Sequence, residues 1–140
     1  MESEEVGLDI VNVIELERAL LEFFAERLSL TPDASIFRGQ LPQEAANGVA
    51  IRVDSADAPT EFHEPEYTVQ VLGKFDDRDD ALMLLNRLVR MAPRYGVTVG
   101  GLRLAYLLTF GAGSPYTIVD DGRVKHCVSF NYRCAVQPPR

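Results

Sequence analysis

The chain has 140 residues, of which 46% are apolar and 25% charged, with a formal net charge of −7 at pH 7. That length sets one domain with a sizeable core, the apolar share excludes a disordered chain, and the acidic balance argues against a sequence-independent nucleic-acid binder, which would be basic. No apolar run approaches the roughly 20 residues that span a bilayer, and the opening MESEEVGLDI is acidic where a signal peptide is basic, so neither a membrane nor export is expected.

Residues 8–28 carry a helical pattern. Val13, Leu16, Leu20 and Phe23 recur at spacings of three and four, widened by Ile10, Ile14, Leu21 and Phe24. Glu15, Arg18, Glu22 and Glu26 share the opposite face. Thr31-Pro32-Asp33 ends this amphipathic helix. A short apolar piece at 35–41 has no clear type. Asn47-Gly48 signals a turn, and Val49, Ile51 and Val53 alternate with Ala50, Arg52 and Asp54 as in a strand.

Residues 55–66, SADAPTEFHEPE, hold two prolines, an acidic majority of charges and little to bury. They read as a long exposed arm. Glu61, Phe62, His63 and Glu64 within it are candidate interface residues, because an aromatic in an acidic setting suits contact with a basic partner. A metal at His63 is the weaker reading, since H-E-x-x-H lacks its second histidine.

Tyr67, Val69, Val71 and Phe75 alternate as a second strand, and four aspartates follow at 76, 77, 79 and 80. Clustered carboxylates suit either a divalent metal or a helix start. Counted from Asp77, the sixth and twelfth places of a calcium loop hold Leu82 and Leu88, where glycine and an acid are needed. Ala81, Leu84, Leu85, Leu88, Met91 and Ala92 fall at helical spacing, with Arg87, Arg90 and Arg94 at the far end. Acids first and bases last suit the helix dipole, so Asp76 or Asp77 is expected to cap a helix that Pro93 and Gly96 end. No metal or cofactor is expected.

Beyond Gly100-Gly101 the chain reads as β. Leu102, Leu104, Tyr106, Leu108 and Phe110 alternate, GAGSP breaks the run, residues 116–119 form a short strand, and Asp121-Gly122 signals a hairpin. In the last strand Val124, His126, Val128, Phe130, Tyr132, Cys134 and Val136 share one face. Arg123, Lys125, Cys127, Ser129, Asn131, Arg133, Ala135 and Gln137 share the other. The first face belongs on a core, with His126 as a core histidine, and the second in water or against a partner. Arg123, Lys125 and Arg133 form a basic stripe there, a second candidate interface. Cys127 and Cys134 point to opposite faces roughly 23 Å apart at about 3.3 Å per residue, too far for a disulfide. Two free thiols suit the cytosol or an assembled intracellular particle.

The order of helix, two strands, helix, then two or three strands predicts an α+β domain over residues 1–140, with an antiparallel or mixed sheet and both helices on one face. Residues 1–6 and 137–140 read as short tails. No G-x-S-x-G or phosphate-binding loop occurs, and GAGSPY lacks the third glycine of G-x-G-x-x-G, so no enzyme is expected.

The sequence resembles the tail terminator proteins of long-tailed bacteriophages, also called minor capsid or tail completion proteins. The N-terminal amphipathic helix, the unit EYTVQVLGKFDDRDDALMLLNRLVRMAP and the closing DDGRVKHCVSFNYRCAV carry the resemblance across most of the chain. The resemblance implies a virion protein of the phage neck, assembled in the host cytoplasm. It implies a hexameric ring that caps the tail tube, stops its polymerisation and joins tail to head. The implied partners are other copies of the chain, the tail tube protein and a head-completion protein, with DNA only passing through the lumen. Two other classes fit the composition. One is a small cytosolic binding module, such as a regulator or an immunity-type protein, which would stay monomeric. The other is an uncharacterised metal-dependent enzyme centred on His63.

Overall fold

The structure, a computed structural model, describes residues 12–57, 65–111 and 113–137. Its elements in chain order are α1 (Val13–Leu28), β1 (Ile36–Arg38), β2 (Gly48–Ala56), β3 (Glu66–Phe75), α2 (Arg78–Val89), β4 (Arg94–Val99), β5 (Leu102–Thr109), β6 (Ser114–Asp120) and β7 (Arg123–Val136). The seven strands form one mixed sheet of order β1-β2-β3-β7-β5-β4, with β6 also paired to β7. Only β1 and β2 pair in parallel. The chain is an α+β domain, as its sequence predicts.

β7 organises the sheet. One of its edges runs the full length of β3. Its other edge is shared: β6 pairs its first half and β5 its second half. Between them the Phe110 N–H donates to the Asn131 carbonyl at 2.9 Å. β5 and β6 therefore act as one interrupted strand, broken at the glycines Gly111 and Gly113.

The alternation in β7 is matched in register by β3. Phe130 faces Val71, Tyr132 faces Val69 and Cys134 faces Tyr67, and all six are buried. Both helices cover this face. Phe24 of α1 meets the Tyr132 ring edge-on at 5.3 Å, while the Tyr132 hydroxyl donates to the Leu88 carbonyl of α2. Leu16, Leu20 and Leu28 from α1 and Ala81, Leu84 and Leu88 from α2 complete the core. Each such side chain contributes on the order of 1.5–3 kcal/mol when removed from water. Gly73 interrupts the apolar face of β3 because a Cβ there would collide with the Leu84 side chain, so α2 packs directly on the backbone.

Asp77 is the N-cap of α2, its side chain accepting from the Asp79 N–H at 2.8 Å. Asp76 instead pairs with Lys125 and with Asn47. The first helix has an equivalent cap, Asn12, accepting from the Ile14 N–H.

Several expectations need correction. β1 and β4 are additional strands. β1 has only three residues and exists through its pairing with β2. β4 follows Pro93 and contains Gly96 at positive φ, both of which look like breakers in isolation. Arg94 accordingly lies in β4, where its Nε donates to the Met91 carbonyl. Val13 and Ile14 are exposed, so the buried stripe of α1 begins at Leu16. The arm is shorter than its composition suggests. Ser55 and Ala56 pair with Thr68 and Tyr67, and Glu66 pairs with Ala135.

Candidate interaction surfaces

The basic residues of β7 separate into different environments. Lys125 is only 6% exposed. Its ammonium donates to the Ala46 carbonyl at 3.0 Å and forms an ion pair with Asp76. Asp76 also accepts from Asn47 Nδ2, and its own N–H donates to Asn47 Oδ1 at 2.8 Å. The group ties the turn before β2, the start of α2 and the β6–β7 hairpin together. The Lys125 hydrogen bond, first among several causes, holds the Asp76 carboxyl below the ordinary carboxylate range. The Lys125 charge is therefore spent inside the domain, and the stripe expected from Arg123, Lys125 and Arg133 is not continuous. Arg123 and Arg133 remain exposed at opposite ends of β7. The face is also not uniformly wet, since Cys127 and Ala135 are buried on it.

A different polar group sits at its centre. Arg52, Gln70 and Asn131 lie in register across β2, β3 and β7 on the face away from the helices. Arg52 Nε and Gln70 Oε1 are buried and have no hydrogen-bond partner among the described residues. The guanidinium approaches Asp54 at 3.6 Å, too long for a strong bond. A buried polar atom without a partner costs about 1–3 kcal/mol, although the Arg52 side chain as a whole is still 43% exposed. The alternation of β2 and β3 places both residues there, but nothing in sequence marks their atoms as unpartnered. Nearby, the Tyr106 hydroxyl donates to Glu66. Burial first, and then Glu66, push that phenol up to about 12.

The third surface is the β6–β7 hairpin. Its turn, Asp121-Gly122, has positive φ at both residues, the geometry that suits a two-residue connection. Beyond the helices it carries exposed apolar side chains: Val119 is 75% and Val124 56% exposed, with Ile118 and Tyr116 also exposed. Val124 thus departs from the core assignment of its face, because neither α1 nor α2 covers it among the described residues. His126 is half-buried at the margin of the same hairpin, lining a recess of about 130 Å³ with Ala81, Leu82 and Tyr116. Lys74 pairs with Asp120 at 3.0 Å across the hairpin's other face.

Glu61, Phe62, His63 and Glu64 lie outside the described residues. Among the described residues no three His, Cys, Asp or Glu side chains are grouped as a metal site. Cys127 and Cys134 are both free and buried. Burial raises both thiols, Cys134 to about 12. No helix among the described residues is long and apolar enough to cross a membrane.

The geometry defines a small α+β domain with one sheet face sealed by both helices and the other only partly covered among the described residues. No protein-family model matches the chain, and no curated protein matches it.

Proposed function

We propose that this protein is a structural virion subunit that assembles as a hexameric ring, caps a phage tail tube and joins the tail to the head. The sequence resemblance supplies the identity of the assembly. The observation that carries the reading is the division of the sheet. Both helices close one face, and the opposite face keeps Arg52 Nε and Gln70 Oε1 buried without partners among the described residues. A subunit of a closed ring needs a core of its own and a second surface whose polar groups are completed by a neighbour. The tail tube protein, the head-completion protein and the neighbouring copies are the partners in this reading, and DNA passes through the lumen. No catalytic step is involved.

Electron microscopy of the purified protein tests it. Six-fold rings are expected, and adding the protein to polymerising tail tubes should fix their length. Particles of no more than two copies, together with tubes of unregulated length, would overturn the reading and favour a small binding module. Arg52→Ala with Gln70→Ala should weaken the rings while the isolated domain stays folded.

A further inference from the structure

We propose that the free edge of β6 pairs with the same edge of a second copy of this chain, antiparallel and related by a two-fold axis. Among the described residues β6 pairs only with β7. The two-residue turn makes Asp120 and Arg123 a hydrogen-bonded pair, and the alternation then continues through Ile118–Lys125 and Tyr116–Cys127. The backbone groups of Thr117 and Val119 consequently point away from β7. So does the carbonyl of Pro115, which has no N–H to offer.

The other edges of the sheet are guarded. β1 is three residues long, and beside it the Val53 N–H of β2 is taken by Glu17 Oε2 at 2.8 Å, next to a register shift. β4 carries Gly96 at positive φ, where its pairing with β5 is interrupted. Short strands, inserted charges and bulges are the usual protection of an edge. β6 has none over residues 116–119, and instead shows Tyr116, Ile118 and Val119 to solvent.

With Ile118 facing Ile118 of the partner subunit, Thr117 and Val119 exchange N–H···O bonds with Val119 and Thr117 of the partner subunit. All four outward N–H groups are then used, and the prolines fall outside the paired residues. Val119 gains a cross-strand neighbour on one side of the sheet, and Ile118 and Tyr116 on the other. Charge also fits. The only charge on β6 is Asp120, already paired with Lys74. An antiparallel arrangement sends the two hairpin tips in opposite directions, so their aspartates do not meet. A parallel one would oppose them.

A two-fold contact cannot close a six-membered ring, so it is separate from the ring contact. It goes beyond the ring reading and does not depend on it. Where rings form, it joins them in pairs; where they do not, it gives a dimer.

Sedimentation of wild type, Thr117→Pro and Val119→Lys across a dilution series tests it. Proline at 117 removes an outward N–H and no bond to β7, and Val119 is solvent-exposed, so both variants should keep the wild-type circular dichroism spectrum. The expected result is that each variant halves the mass of the wild-type particle, whether that particle is a dimer or a double ring. A monomeric wild type, or single six-fold rings whose mass neither variant changes, would overturn the proposal; the latter would leave the ring reading standing. Should Thr117→Pro fail to fold, Val119→Lys alone decides. Halving without any six-fold particle would sink the ring reading and keep this one.

Discussion

The Tyr132 hydroxyl donates to the Leu88 carbonyl oxygen at 2.5 Å, joining the central strand β7 to the last turn of α2. Burial pushes the phenol well above its ordinary range, so the donor keeps its proton through the neutral and mildly alkaline region. Leu88 also accepts from the Met91 N–H at 3.1 Å, so the carbonyl is not orphaned when the hydroxyl is removed. Tyr132→Phe should therefore cost only about 1 kcal/mol, whereas Tyr132→Ala, which also leaves Phe24 facing a cavity, should cost about 3–5 kcal/mol. Denaturant titrations of the two variants check the difference.

Glu17 closes the exposed part of the β2 edge through the Val53 N–H and lies 3.7 Å from Arg38. Glu17→Gln keeps an acceptor and should be nearly neutral. Glu17→Ala leaves a part-buried N–H unpaired and should cost about 1–3 kcal/mol. Amide exchange should accelerate at Val53 before it does at Val71 or Phe130.

The Asp76–Lys125 pair gives a pH dependence with a definite sign. The folded-state value of Asp76 is lowered. Its contribution is therefore complete above the unfolded carboxylate range of about 3.9 and is lost as pH falls through the lower folded value. Asp76→Asn should remove this component of acid destabilisation, seen as a smaller drop in Tm between neutral pH and about pH 3. Asp76→Ala should be worse than Lys125→Met. The first strands a buried ammonium, while the second replaces it with an apolar chain of similar length.

Asp77 acts as the cap of α2. Asp77→Asn should leave stability within a few tenths of a kcal/mol, and Asp77→Ala should cost about 1 kcal/mol, because asparagine accepts the Asp79 N–H and alanine does not. Adding a chelator should leave the wild-type Tm unchanged. A drop on chelation would show that the acidic turn holds a cation.

Both thiols are enclosed, and Cys134 sits at about 12. A thiol reagent at neutral pH should find neither in the folded protein and both once it is unfolded, since the thiolate is the reactive form. Titration with a chromogenic disulfide, before and after denaturant, counts them.

Much of the fold is written locally. The stripe of α1, the alternation of β3 and β7, the Asp121-Gly122 turn and the capped start of α2 depend on neighbours within a few residues, and periodicity reports them. The α+β class and the inability of Cys127 and Cys134 to pair follow from the same local spacing. Long-range pairing decided the rest. β1 is a strand because β2 lies beside it, and β4 because β5 does, against the local signals of Pro93 and Gly96. Lys125 looks identical to Arg123 and Arg133 in an alternating strand. Its burial needs Ala46 and Asp76, which are 79 and 49 residues away in sequence. Whether Asp76 or Asp77 caps α2 was likewise settled by a distant lysine. The unpartnered atoms of Arg52 and Gln70 and the open edge of β6 are products of the assembled sheet. A strand carries its side-chain alternation in its own sequence, but which of its backbone groups stay unpaired depends on strands that arrive from elsewhere in the chain.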